Sequence, residues 1–244
     1  MSRYALWRHR LADGLQTTIY AVRHPATATR VRVVHFPRAR RLDVWCARHG
    51  VGEAIVGGFF VRDPYRALGE LWVAGRPAAH EPVAEPYAAL RACLISDGDG
   101  VRLGTPGAPP HHDLVQAGPL LVAGGSVVFD PGNDREGFSE GAGQFDSDIT
   151  DGRHPRAAFG IGAGDLIAVA CDGRRSGVDA GLSMLELAEV MVELGAEHAI
   201  NLDGGGSTTL VHRGHLLNRP YSSQDQPAPR SRRIVSALAF EESG

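Results

Sequence analysis

Short apolar runs bounded by glycine, proline or charged residues fill most of the sequence, and they restrict its fold more than any other feature. Alternating or β-branched residues within such runs are typical of strands. The runs that predict strands are TTIYAV (17–22), RVRVVHF (30–36), RLDVWCA (41–47), AIVGGFF (54–60), LWVAGR (71–76), ACLISDG (92–98), LLVAGGSVVFD (120–130), DLIAVACDG (165–173), HAINLDGGGS (198–207), TTLVHRG (208–214) and RRIVSALAF (232–240). Because most of them follow one another without a helical segment, we expect a mixed, largely antiparallel sheet.

One segment carries a clear helix pattern. Ser183 is followed three residues later by Glu186, the arrangement of a capping box, and Gly195 stands where a helix would end. An apolar stripe at helical spacing lies between them, namely Leu185, Ala188, Met191 and Val192. With no linker and no internal repeat, the sequence predicts one domain over residues 1–244, of the α+β class with few helices.

Composition and charge exclude several classes of function. The chain has 25 basic and 28 acidic residues, for a net charge of −3, so it lacks the positive excess of a nucleic-acid-binding protein. No segment approaches the roughly 20 apolar residues of a membrane helix. All basic residues are arginine, so any phosphate-binding site here must use guanidinium groups. We therefore expect neither a nucleic acid nor a membrane as partner.

The cysteines predict a reducing compartment. Cys46, Cys93 and Cys171 are an odd number, widely spaced and without a CxxC pair, which favours buried free thiols. The polar, arginine-rich N-terminus has no apolar core of signal-peptide length. These observations predict a cytoplasmic protein.

The segment NLDGGGSTTL (201–210) is the strongest local signal for chemistry. Asp203 stands at the end of a predicted strand, the glycines allow close backbone approach, and Ser207 supplies a hydroxyl. The segment therefore predicts a cradle for an anion or sugar phosphate beside a fixed carboxylate. A glycine-rich hairpin whose polar residues only cap turns is the alternative.

Polar residues also follow other predicted strands. DGR places Asp172 and Arg174 at one strand end, HPR supplies His154 and Arg156, and NRPY contributes Asn218. Polar residues flanked by glycine at several successive element ends are typical of a site along one rim of a sheet. The alternatives are that Asp172 only caps the DG turn and that Arg156 is a strand-end ion-pair partner.

Several motifs together resemble the phosphodiester glycosidase family. They are AIVGGFF, QAGPLLV, HPRAAFGIG, DGR, the segment GLSMLELAEVMVELGAEHAINLDGGGSTTL and NRP, in family order over roughly residues 50–240. The resemblance implies a single α+β domain that hydrolyses the bond between a sugar's anomeric carbon and a phosphodiester oxygen. The sequence departs from the family pattern at Val56, where family members usually carry Asn, and at Ala157, where they carry Thr.

The residue types fit this chemistry. A phosphate leaving group needs little protonation, so the site must mainly bind phosphate and supply or activate a nucleophile. We expect Asp203, or as second choice Asp172, to act at the anomeric carbon, His154 to donate to the leaving oxygen, and Arg156 and Arg174 to bind phosphate. The other expected substrate-binding residues are Gly204, Gly205, Gly206, Ser207 and Asn218.

Two other functions stay open: a catalytically inactive sugar-phosphate-binding module, and a phosphodiesterase that attacks phosphorus, usually with a metal cluster. The acidic, glycine-rich segment 131–155 is too long for an idle connector, so it is either a solvated loop or a lid or cation site using Glu140, Asp146 and Asp148. We interpret His111, His112 and Asp113 as surface residues and Trp45 and Trp72 as core. The sequence predicts a small-molecule sugar-phosphate substrate, no cofactor and no metal, and leaves the oligomeric state open.

Overall fold

Antiparallel strands form most of the computed structural model, which describes residues 1–97, 100–107, 112–139, 149–228 and 230–243. The helices are α1 (Leu42–His49) and α2 (Met184–Glu193), with short 3-10 turns at Ala26–Ala28, Tyr87–Ala89 and Gly205–Ser207. In chain order, the strands are β1 (Arg3–Arg10), β2 (Gln16–Pro25), β3 (Thr29–Arg40), β4 (Ala54–Val56), β5 (Phe60–Arg62), β6 (Tyr65–Leu68), β7 (Leu71–Val73), β8 (Arg76–Pro77), β9 (His80–Glu81), β10 (Cys93–Asp97), β11 (Gly100–Gly104), β12 (Asp113–Gln116), β13 (Leu120–Ala123), β14 (Ser126–Val127), β15 (Arg156–Gly162), β16 (Asp165–Cys171), β17 (His198–Asn201), β18 (Leu210–His212), β19 (His215–Leu216), β20 (Tyr221–Ser223), β21 (Gln226–Pro227) and β22 (Ile234–Glu242).

The strands form three large sheets and two small ones. The largest has seven strands in the order β1-β2-β16-β15-β17-β13-β14, and two five-stranded sheets have the orders β11-β10-β12-β7-β8 and β19-β18-β4-β22-β3. A three-stranded sheet, β5-β6-β9, and the pair β20-β21 complete the set in the described residues. The β6–β9 pair is parallel, and the other described pairings are antiparallel. The largely antiparallel prediction is confirmed, although with two helices the protein is mostly β.

The central strands of the seven-stranded sheet are buried on both faces. Along β2, Ile19 and Ala21 pack toward α2, whereas Tyr20 and Val22 pack into the core shared with the five-stranded sheets. This division follows from the period-2 alternation of side chains along a strand. The central strands therefore hold their ends rigidly, which positions any residue just beyond them.

Helix α2 begins as the sequence predicts. The Ser183 hydroxyl accepts a hydrogen bond from the Glu186 amide (3.2 Å), and the Glu186 carboxylate accepts one from the Ser183 amide (2.8 Å). Gly195 has a φ of +78°, a left-handed conformation that favours glycine. The predicted stripe is only partly right, because Leu185 is 37% exposed. The buried face consists of Met184, Leu187, Ala188, Val190 and Met191.

The predicted strand at 41–47 is wrong, since this segment belongs to α1. Leu42 and Cys46 are buried while Val44, between them, is exposed. The pattern that suggested period 2 is thus a helical i, i+4 pair, and Gly50 ends the helix with a φ of +67°.

The interpretation of the cysteines as buried free thiols is confirmed for Cys46, Cys93 and Cys171. The surface interpretation of Asp113 is wrong: this side chain is 6% exposed and accepts hydrogen bonds from the Val33 amide (2.8 Å) and the Ala74 amide (2.6 Å). His111 lies outside the described residues. In the described part of the chain, no helix is long and apolar enough to cross a membrane.

Candidate functional site

A cavity of about 560 Å³ opens at one rim of the seven-stranded sheet. Arg156 begins β15 and pairs with Cys171 at the end of β16, while β17 ends at Asn201 opposite Ala158. The antiparallel order therefore brings the start of β15 and the ends of β16 and β17 to the same edge. The ionisable side chains lining the cavity are Arg62, Asp63, His154, Arg156, Arg174, Asp203 and Arg232.

Asp203 lies in the cavity wall, two residues beyond β17. Its amide donates to the carbonyl of Gly57 (3.0 Å), which fixes the backbone from behind. Desolvation raises the pKa of its carboxyl from the usual 3.8 to about 6, although the Ser207 hydroxyl, Arg232, the Gly204 amide and Arg62 act in the opposite direction. The group is thus predominantly ionised at pH 7, and it is more basic than an ordinary carboxylate.

The glycine run brings arginine side chains against the backbone. A Cβ at Gly206 would lie 2.6 Å from Nη2 of Arg232, and one at Gly205, whose φ is +59°, would lie 3.0 Å from Nη2 of Arg174. The amide of Gly205 donates to the Pro155 carbonyl (2.7 Å), so it is not offered to a ligand as the sequence predicted. The glycines therefore serve mainly to admit two guanidinium groups beside Asp203.

Arg174 and Arg232 supply half-buried positive charge to the cavity. Nη1 of Arg174 donates to the Ser222 carbonyl (2.9 Å), which attaches the guanidinium to strand β20. Burial and the neighbouring Arg232 lower the pKa of Arg174, while burial and Arg62 lower that of Arg232. Mutual repulsion of this kind is relieved when an anion binds between the groups.

Arg156 lines the cavity but is 4% exposed. Its Nε donates to the Leu182 carbonyl (3.0 Å), Nη1 to the Ile149 carbonyl (2.8 Å) and Nη2 to the Gly152 carbonyl (3.1 Å). The side chain thus joins the end of segment 131–155 to the sheet. Its expected phosphate-binding role stays a prediction, and the three carbonyl bonds give it a structural role that the sequence did not reveal.

His154 lies in the wall of the cavity, where its backbone exchanges hydrogen bonds with Leu182 (3.1 and 3.0 Å). Desolvation, followed by the charges of Arg156 and Arg174, lowers the pKa of its imidazole to about 4. The ring is therefore neutral at pH 7, and it is suited to donating a hydrogen bond from one nitrogen rather than to releasing a proton.

Asp172 and Asn218 do not line the cavity. The carboxylate of Asp172 is 1% exposed and accepts hydrogen bonds from the Tyr20 hydroxyl (2.9 Å) and the Arg219 amide (2.7 Å). Asn218 accepts from the Leu210 amide (2.9 Å) and donates to the Thr208 carbonyl (2.8 Å). Both side chains hold the chain that follows the 3-10 turn, so the structure does not bring them into the cavity.

One buried polar atom at the site, Oδ1 of Asn201, has no hydrogen-bond partner among the described residues. The amide nitrogen of Asn201 donates to the Gly118 carbonyl (2.8 Å), and the Ser207 hydroxyl interacts with the Asp203 carboxylate. Both residues line the cavity. Unsatisfied buried polar groups are costly, which favours a polar ligand at this position.

The cavity wall also contains Phe59, which packs on the fully buried ring of Phe138 (centroids 5.4 Å apart). Arg91 lies over that ring at 4.1 Å and donates to the carbonyls of Glu136 (3.0 Å) and Gly137 (2.9 Å). The first part of segment 131–155 therefore packs behind the cavity wall through Phe138, and Ile149 and His154 from its later part line the cavity itself. The acidic candidates Glu140, Asp146 and Asp148 lie outside the described residues.

The two departures from the family pattern do not face the cavity. Val56 and Ala157 are fully buried in the main core, and neither lines the cavity. Their burial in the core gives no support to a direct effect of these two departures on sugar binding.

Sequence reasoning missed Arg62, Arg232 and Asn201. Arg62 lies at the end of β5, next to the tight turn into β6. Arg232 is the first residue of the strand predicted at 232–240, but the observed strand β22 begins only at Ile234, so Arg232 lies outside it. The only signal in the sequence for Arg62 and Arg232 is the absence of lysine. It means that any anion site must use arginine, but it does not identify which arginines. In the described residues, no three His, Cys, Asp or Glu side chains are grouped as metal ligands.

Comparisons with solved structures give the fold. The zebrafish N-acetylglucosamine-1-phosphodiester alpha-N-acetylglucosaminidase catalytic domain, auto-inhibited by its pro-peptide, matches with a TM-score of 0.74 and 20% identity over 100% of this chain and 83% of that one. A hypothetical protein from Synechocystis matches with a TM-score of 0.66 and 19% identity over 98% of this chain and 62% of that one. A putative exported protein from Burkholderia pseudomallei matches with a TM-score of 0.67 and 16% identity over 93% of this chain and 74% of that one.

A search of curated proteins returned no significant match. The description of one structural match as an exported protein gives no support to the cytoplasmic location expected from the cysteines. A family model described as phosphodiester glycosidase matches residues 49–241, nearly the range over which the sequence motifs indicate that family. This chain therefore belongs to the phosphodiester glycosidase family.

Proposed function

We propose that the protein hydrolyses glycosyl phosphodiesters, breaking the bond between the anomeric carbon and the phosphate oxygen. The observation that carries this proposal is the position of Asp203, a desolvated carboxylate in a cavity lined by four arginines. A carboxylate suits a carbon that develops positive charge, and guanidinium groups suit a departing phosphate. The name of the zebrafish relative makes an N-acetylglucosamine-1-phosphodiester the first substrate to test.

In this mechanism Asp203 attacks the anomeric carbon or deprotonates the water that does so. Arg174 and Arg232, which already crowd one another, bind the phosphate and stabilise its charge as it leaves. Neutral His154 donates a hydrogen bond to the leaving oxygen. Arg156 holds the cavity wall, and Asn201 offers its unpartnered Oδ1 to a sugar hydroxyl.

Hydrolysis in oxygen-18 water tests which bond breaks. With a methyl phosphodiester of N-acetylglucosamine-1-phosphate, we expect mass spectrometry to find the label on the anomeric hydroxyl. Label on the phosphate product would instead show attack at phosphorus, as in a phosphodiesterase. Saturable binding without turnover, over a panel of sugars and aglycones, would contradict the proposal in favour of a binding module.

The pH dependence of kcat/KM should follow Asp203. Because the ionised carboxylate is the active form and its pKa is about 6, kcat/KM should fall about tenfold per pH unit below pH 6 and level off above it. The pKa of Asp172 is also raised by burial to about 6, so the profile should be repeated with Asp172→Asn. Persistence of the acidic limb in that variant assigns it to Asp203, and its disappearance would contradict this assignment.

A further inference from the structure

A second concave surface of about 660 Å³, which we call the arginine groove, is lined by different residues. Its arginines are Arg38, Arg40, Arg41, Arg48 and Arg233. Consecutive residues, Arg232 and Arg233, line the cavity and the groove respectively, so one backbone segment separates the two.

A large bulge forms one wall of the groove. Arg40 pairs with Ile234 and His35 pairs with Ser236, so β3 has four residues, 36–39, opposite the single Val235 of β22. Such an excess bends the strand away from its partner. The bulge carries Arg38, and the chain then turns into α1.

Helix α1 forms the other wall and spreads the charge. Arg41 is its N-cap and Arg48 lies in its last turn, so at 1.5 Å per residue their Cα atoms are roughly 10 Å apart. An arginine at the N-terminus is opposed by the helix dipole, and no side chain caps the first amides. An anion bound at this end of α1 would offset the repulsion between Arg41 and the helix dipole, and it would accept hydrogen bonds from the uncapped amides.

The groove arginines have no acidic partner. Within the described part of the chain, none of the five takes part in an ion pair, and no Asp or Glu lines the groove. The nearby carboxylate of Asp43 accepts a hydrogen bond from the Ser231 hydroxyl (2.6 Å). Arg41 donates from Nε to the Ser231 carbonyl (3.1 Å), which leaves its charge uncompensated. Five guanidinium groups without an acidic partner among the described residues therefore make the groove positive, although the net charge of the protein is −3.

The aromatic residues argue against nucleic acid. The Trp45 ring is stacked on His49 (centroids 4.8 Å apart) and contacts the edge of Phe36 (5.3 Å). His49 therefore covers one face of the ring, whereas single-strand-binding sites leave aromatic faces open for bases to stack on. Trp45 instead supports the helix wall that carries the charges.

We propose that the arginine groove binds a polyanionic chain of phosphate-bearing sugars at a site separate from the catalytic cavity. Charges roughly 10 Å apart along α1 suit successive phosphates rather than one phosphate group. The choice of a sugar chain rests on the proposed function, because a chain in which phosphodiesters join the anomeric carbons to the next sugar contains the class of bond assigned to the neighbouring cavity. The groove then holds the polymer while the cavity acts on one linkage.

Fluorescence anisotropy with labelled phosphorylated dextran tests whether the arginine groove binds such a chain. The full chain should bind it, and the double variant Arg38→Gln/Arg48→Gln should bind about tenfold or more weakly, since each charge-assisted contact contributes measurably. The matched control, Arg10→Gln/Arg30→Gln, removes the same charge from exposed positions outside the groove and should bind like the unmodified chain. Turnover of the small methyl phosphodiester should be unchanged in both.

Three results would overturn the proposal: no binding of phosphorylated dextran, an equal loss in both double variants, or tighter binding of unmodified dextran or single-stranded DNA. Because the anisotropy measurement needs no turnover, it separates the two proposals. A protein that binds through the groove but hydrolyses nothing would contradict only the proposed function. An active protein that does not bind phosphorylated dextran would contradict only the proposed role of the arginine groove.

Discussion

Asp203→Asn should lower kcat by roughly two to four orders of magnitude, the range expected for losing an acid–base or nucleophilic group. The substitution keeps the size of the side chain and its capacity to accept from the Gly204 amide, but it removes the negative charge and basicity. The four arginines and the cavity shape stay in place, so KM should change little. Initial rates with the methyl phosphodiester, measured over a range of substrate concentrations, give both quantities.

The same variant should be as stable as the unmodified protein or more stable at pH 8. The folded-state pKa of Asp203, about 6, lies above its usual 3.8, so folding favours the protonated form. Stability contributed by this group is therefore present below pH 3.8 and is lost as the pH rises through about 6. Asn imitates the protonated acid, and its advantage in melting temperature should shrink between pH 8 and pH 4.

Asp172→Asn is the matched control, because this carboxyl also has a pKa raised by burial to about 6 but lies outside the cavity. It should retain most of its activity, with any loss explained by the weakened contact to Tyr20. If Asp203→Asn unfolded the protein while its folded fraction stayed fully active, the carboxylate would be a turn cap. Catalysis would then have to be assigned to another acidic residue.

The sequence was a good guide wherever a single local pattern decides the structure. The capping box of Ser183 and Glu186 formed as expected, and the apolar runs became strands. At residues 41–47 the same apolar spacing fits a strand or a helix, and tertiary packing of Leu42 and Cys46 decided for the helix. The position of Asp203 at the rim could be predicted because it follows directly from a central strand.

The surrounding site could be predicted less well, because it depends on contacts between distant segments. Nothing local to Arg62 or Arg232 shows that they meet beside Asp203, and nothing local to Asn218 shows that its side chain closes a hairpin. The glycine run has two possible uses, to expose amides or to admit side chains. The positions of Arg232 against Gly206 and of Arg174 against Gly205 favour the second, and neither contact can be predicted from the local sequence.

Arg156→Met should reduce stability more than any other single substitution in the cavity wall. The guanidinium is 4% exposed and donates to carbonyls of Leu182, Ile149 and Gly152, so its loss leaves three acceptors to find new partners. At about 1 kcal/mol or more for each, the free energy of unfolding should fall by about 3 kcal/mol. For a chain of this size that corresponds to roughly 6–12 °C in melting temperature, measurable by calorimetry.

Arg174→Met distinguishes this structural role from phosphate binding. Arg174 is half-buried in the same cavity and donates to the Ser222 carbonyl (2.9 Å), so its removal should raise KM while melting temperature falls by only a few degrees, roughly the effect of one hydrogen bond. Arg156→Lys should lie between the two Met variants in stability, because one ammonium group cannot reach three carbonyls in the planar geometry of a guanidinium. If Arg156→Met instead left the melting temperature unchanged and raised KM as Arg174→Met does, the guanidinium of Arg156 would belong to the phosphate site, and segment 131–155 would be held by other contacts.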